Sequence, residues 1–189
     1  MNNNEAGSVK GSVLQSRLAF LRERKGEAGV HRVLERLAAE DRNLLSGLML
    51  PSGWYPFRTN ERLDEAIAEE LGIGEAIFLQ MGEKSASDNL GAAHRVYVHS
   101  RDPHGLLREA ASIYRLYYDT GNRSYERTGD RSAVLRTRDS RTFSRADCLT
   151  VVGWHRKAIA MCGGKNARVV EKKCRAKGDE LCEYLCEWE

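Results

Sequence analysis

No apolar run in this 189-residue chain approaches the roughly 20 residues needed to cross a bilayer. Its start, Met1-Asn2-Asn3-Asn4-Glu5, has no basic segment followed by an apolar one, so no secretory signal is expected. Strong charge is also missing. The net charge of +3 says little about partners. No Gly-x-Ser-x-Gly elbow occurs, and Gly72-Ile73-Gly74 lacks the third glycine of a dinucleotide loop. The histidines His31, His94, His99, His104 and His155 show no zincin spacing, and none is marked out as an axial heme ligand. No sequence repeats at a fixed period. These absences leave a cytoplasmic protein without a visible catalytic constellation, and it is not expected to be an enzyme.

What is present describes an ordinary globular domain: 41% hydrophobic and 30% charged residues. Residues 1–12 read as a loose polar arm, and 13–189 as one domain with an N-terminal helical extension. Leu14, Leu18 and Leu21 recur at helical spacing, and Gly26 ends that helix. Further helices are expected over about 30–45, 59–71 (capped by Thr59 or Asn60), 74–90 and 104–118. Residues 47–57 read as a packed, aromatic-bearing break. Then the pattern changes. Residues 122–143 read as two strands turning near Gly129. Ser144 caps a helix over 145–161, and 167–188 read as a second hairpin around Gly178. Strands crowded at one end of a helical chain predict an α+β fold. Its N-terminal helices pack on a mainly antiparallel sheet of about four strands, with a helix between two hairpins.

Five cysteines carry the most chemistry. Cys174 and Cys182 flank the Lys177-Gly178-Asp179 turn, and Gly accepts the positive φ a tight hairpin needs. Facing residues on such strands lie roughly 5 Å apart, close enough to share a metal or a disulfide. A reducing compartment and an odd cysteine count argue against the disulfide. Cys148, on the first turn of the preceding helix, can reach the pair. Glu171, three residues before Cys174, would face away on a regular strand and needs a bulge to join them. A Zn²⁺ site draws three or four ligands from such groups, while free cysteines are equally at home as small buried hydrophobes. Residue chemistry alone leaves both readings open.

Val169 to Trp188 resembles the C-terminal signature of the 4-vinyl-reductase-like small-molecule-binding domains, which also serve as sensory domains of phenol-responsive activators. The shared features are a Cys, a Gly-Asp turn, a second Cys eight residues on, and an aromatic. The resemblance implies a structural Zn²⁺ held by Cys148, Glu171, Cys174 and Cys182, with Cys162 and Cys186 outside the pattern. It implies the fold shared with nitric-oxide-sensing heme domains and vesicle-tethering (TRAPP-type) subunits, usually dimeric. It also implies a small apolar or aromatic ligand, held between a helix layer and the sheet. Tyr114, Tyr117, Tyr118, Tyr125 and Trp154 are the candidate pocket residues, although each alone is as readily ordinary core. Any signal would pass to a separate partner. The alternative is an interaction scaffold whose pocket is filled by its own side chains. Arg123, Arg127, Arg131, Arg136, Arg138, Arg141 and Arg145 alternate with acids, so a solvated strand face is expected there and nucleic acid is not.

Overall fold

The computed structural model describes residues 7–72, 74–91, 95–98 and 101–189, so the readings placed on residues 1–6, Ile73, His94 and His99 lie outside it. The chain opens with β1 (Ser8–Lys10) and α1 (Gly11–Arg36). Leu14, Leu18 and Leu21 are buried as their spacing requires. Gly26 interrupts α1 with φ 65°, a left-handed conformation that costs glycine nothing and bends the helix. The chain runs on through α2 (Ala39–Ser46), β2 (Trp54–Pro56), α3 (Phe57–Leu71) and α4 (Ala76–Gly91).

Several local readings shift. The helix expected over about 30–45 is the end of α1 and then α2, parted at the extended Leu37. Ser8–Lys10, read as part of a loose arm, pair antiparallel with Trp54–Pro56 inside the supposed break. Such a partner, over forty residues away, leaves no local trace. Thr59 and Asn60 do not cap α3, which starts at Phe57 behind Pro56. Thr59 Oγ1 instead donates to Asp41 Oδ1 at 2.7 Å, tying α3 to α2. The single helix expected over 104–118 is two, α5 (Pro103–Arg108) and α6 (Ala110–Tyr117), parted at Glu109.

The C-terminal half follows the sequence pattern closely. β3 (Asn122–Gly129) and β4 (Ser132–Arg138) form one hairpin; β5 (Arg168–Lys173) and β6 (Cys182–Glu187) form the other. Between them runs α7 (Arg145–Met161), whose cap, Ser144, accepts a hydrogen bond from the Asp147 amide. The sheet order is β3-β4-β6-β5, antiparallel throughout. Along β6, Cys182, Tyr184 and Cys186 alternate inward. They join Leu135, Val152 and Ile159 in a core between sheet and α7. A second core lies among α1, α3, α4 and α6. The architecture is therefore α+β, helices against an antiparallel sheet.

Candidate functional site: a cavity with a buried guanidinium, and a thiol cluster

A cavity of about 50 Å³ lies among α1, α4, α5, α6 and α7, touching the sheet only through Arg123 of β3. Tyr114, Tyr117, Tyr118 and Trp154 line it, beside aliphatic groups such as Val13, Leu106 and Ile113. Tyr125 does not. Its hydroxyl donates to His104 Nδ1 at 2.8 Å, and His104 Nε2 meets the Asp130 carbonyl at 3.0 Å. A carbonyl only accepts, so Nε2 carries the proton and both ring nitrogens of His104 are used. The strand alternation that turns Arg123 inward brings Tyr125 to the same face, two residues further along and beyond the cavity's end.

Sequence reading missed the polar part of this cavity. Arg17 is 2% exposed, and its Nε donates to Asp64 Oδ1 at 2.8 Å. Its Nη2 stands 3.8 Å from Asp147 Oδ1, too far for a hydrogen bond, and finds no partner among the described residues. Asp147 Oδ1 accepts instead from Tyr118 at 2.9 Å. Burial raises the Asp147 carboxyl to about 7 against the pull of Arg17. A signal was present: Arg17 falls on the stripe Leu14, Leu18, Leu21, and Asp64 lies beside Leu63 and three residues before Ile67. Charges inside apolar stripes are seldom left unpaired.

His155, also on the cavity wall, hydrogen-bonds the Val151 carbonyl through Nδ1 at 2.8 Å. Burial, helped by Arg123, pushes its pKa from 6.5 down to about 3. It is neutral when folded and takes up a proton on unfolding, so its contribution is complete above pH 6.5 and is lost as pH falls towards 3. Asp147 slopes the other way, because its folded form holds the proton up to about pH 7. The two nearly cancel in the intact protein. His155→Asn, which keeps a donor for Val151, removes only the first. Relative to wild type its stability should rise by about 2 kcal/mol from pH 6.5 to pH 5, read by urea denaturation. A pH-independent difference would show that His155 titrates normally.

The thiol cluster is a separate site. The sulfurs of Cys148, Cys174 and Cys182 all lie within 4.8 Å of one another, each buried. Cys148 Sγ is 3.7 Å from Cys182 Sγ, and the Arg175 amide donates to Cys182 Sγ at 3.4 Å. Sharing within the triad pushes the Cys148 thiol up, while the hydrogen bond from Cys148 draws Cys174 and Cys182 down. The turn is held by Asp179, whose Oδ2 accepts from the Cys174 amide at 2.7 Å. A register shift between Glu171 and Lys173 supplies the irregularity that Glu171 needed. Glu171 nonetheless lies outside the group. Its Oε2 pairs with Arg145 and with Lys177 at 3.2 Å; Oε1 is buried without a hydrogen bond among the described residues. Cys162 and Cys186 are buried elsewhere in the two cores.

No protein-family model matches the chain, and no curated protein matches it. Solved structures share its fold. An Fe(II) unliganded H-NOX protein mutant from K. algicida superposes with TM-score 0.75 at 15% identity, over 95% of this chain and 96% of that one. An H-NOX protein from S. oneidensis in the Fe(II)NO state gives 0.73 at 13%, covering 95% and 99%. An oxygen-binding H-NOX domain related to soluble guanylate cyclases gives 0.71 at 12%, covering 95% of each chain. At such identities the likeness is one of fold, and the fold of this chain is that of H-NOX domains.

Zn²⁺ as the cofactor is corrected accordingly. The H-NOX structures that share the fold hold Fe(II), and heme is the group studied in others of that fold. The expected fourth ligand, Glu171, pairs with Arg145 and Lys177, while its carboxylate is near enough to Cys174 to push that thiol up. Heme does not fit the residues present either. About 50 Å³ is far below the roughly 300 Å³ of even a modest ligand site, and a porphyrin needs more. His104 has both nitrogens engaged, and among the described residues His155 is the sole histidine on the cavity wall.

Proposed function

We propose that this chain is a small-molecule-binding sensory domain whose ligand enters the cavity between α1, α4, α6 and α7. One observation carries the reading: side chains converge on the cavity without filling it, and a buried donor of a lining residue, Arg17 Nη2, makes no hydrogen bond among the described residues. A scaffold filled by its own core would leave neither. The H-NOX neighbours, one an oxygen complex and one in the Fe(II)NO state, support a fold suited to enclosing small ligands. The Val169–Trp188 signature relates the chain more narrowly to 4-vinyl-reductase-like domains. Ligand capture acts by differential affinity for two conformations, and the output passes to a separate partner. A cytoplasmic homodimer belongs to the same reading. Among the described residues no helix is long and apolar enough to cross a membrane.

The test is thermal denaturation against a panel of molecules of a few non-hydrogen atoms, at millimolar concentration. At least one should raise the Tm of the wild type saturably and leave Ala110→Phe, whose added ring occupies the cavity, unmoved. No shift for any member, with a normally folded wild type, would sink the reading. Sedimentation equilibrium checks the dimer: a monomer at micromolar concentration removes it.

A further inference from the structure

Among the described residues that line the cavity, two are charged and both are cations, Arg17 and Arg123, with no carboxylate among them. Arg17 is the deeper. Asp64 takes its Nε, while Nη2 stands 3.8 Å from Asp147 Oδ1 and makes no hydrogen bond among the described residues. Burying an unsatisfied guanidinium N–H is costly, and the cost persists unless something in the cavity accepts from it. Arg123 offers a second positive charge. Its Nε donates to Thr137 Oγ1 at 2.9 Å, and its guanidinium lies 4.5 Å from the Tyr114 ring centroid, so its partners are a hydroxyl and an aromatic face rather than an acid.

Size narrows the occupant. A cavity of about 50 Å³ holds roughly three or four waters at 10–15 Å³ each, so without movement of its walls it takes a molecule of only a few non-hydrogen atoms. Part of the wall, Val13, Leu106 and Ile113 among it, is aliphatic and suits a hydrocarbon end, while Ser85, Asn89, Thr150 and His155 add polar groups.

We propose that the ligand is a short-chain carboxylate, its oxygen accepting from Arg17 Nη2 and its alkyl end facing the aliphatic wall. This rests on the ligand-binding reading above and names the chemistry of that ligand. A charge-assisted hydrogen bond to a carboxylate is about twice as strong as one to a neutral acceptor. Water alone would satisfy Nη2 but would leave the apolar wall wet.

Isothermal titration calorimetry of the full chain with acetate, propionate and butyrate, against propionamide and 1-propanol, tests this. One of the carboxylates should bind at least tenfold tighter than its neutral isosteres. The double variant Arg17→Met/Asp64→Leu removes the buried pair together and leaves Asp147 its hydrogen bond from Tyr118, so it separates recognition from folding. It should lose the carboxylate preference while keeping its binding of 1-propanol. Equal binding of propionate, propionamide and 1-propanol overturns the carboxylate assignment and leaves the cavity reading standing. So does an undiminished preference in the double variant. If no probe of either charge binds, both fall together.

Discussion

Gly153→Ala should destabilise the protein by about 3 kcal/mol, although helix propensity alone makes alanine better than glycine by about 1 kcal/mol inside a helix. The reason is the approach of α7 to α4. A Cβ on Gly153 would stand 2.0 Å from the Leu79 carbonyl oxygen, and a Cβ on Gly82 would stand 2.0 Å from that of Thr150. Real Cβ atoms do not come within 3.0 Å of such atoms, so the helices would have to part by about 1 Å (3.0 less 2.0) at a contact that is backbone on both sides. No side chain can swing away to relieve it. Trp154, next to Gly153, and Ser85, next to Lys84 on α4, both line the cavity, so the shift would open it as well. Urea denaturation reads the loss. Unchanged or increased stability would mean that the two backbones are not in contact.

Arg17→Met should cost about 3–5 kcal/mol, the penalty for stranding a buried charge. Asp64 is fully buried; its oxygens accept from Arg17 Nε and from Asn60 Nδ2 at 3.1 Å. Without Arg17 that carboxylate keeps one amide donor and no counter-charge. Arg17→Met/Asp64→Leu should recover most of the loss, because replacing both members with apolar groups removes the desolvation cost along with the attraction. The measurement is a double-mutant cycle by denaturant unfolding. A single Arg17→Met costing under about 1 kcal/mol would show that water reaches the pair. The comparison also bears on why the pair exists: a double variant as stable as wild type leaves the guanidinium to recognition rather than to stability.

The sequence read the sheet end of the molecule well, and for a local reason. Ser144 stands one residue before α7, Gly178 sits in the last turn with φ 96°, and the inward residues of β6 are two apart. Each signal lies within a few residues of what it controls. The thiol triad was legible on the same terms, since a turn places Cys174 beside Cys182 and a helix start brings Cys148 to them. Its assignment to zinc went further than the fold's relatives and the position of Glu171 allow. Tyr125 was misplaced because alternation fixes the face of a strand and not how far along it a cavity extends.

By itself, then, the sequence determined the α+β class, the two antiparallel hairpins with a helix between them and the gathering of three cysteines. Periodicity, capping and turn chemistry act over a few residues, and a sequence displays them directly. Only the tertiary structure decided that Arg17, Asp64 and Asp147 meet. They come from three helices, 47 and 83 residues apart, and a charge inside an apolar stripe shows locally that it is buried but not which distant residue it meets. It also decided that α4 and α7 touch backbone to backbone, and that the aromatic stripe of α6 borders a space it does not fill. Those are properties of packing between distant segments. The ligand chemistry of this domain resides in them.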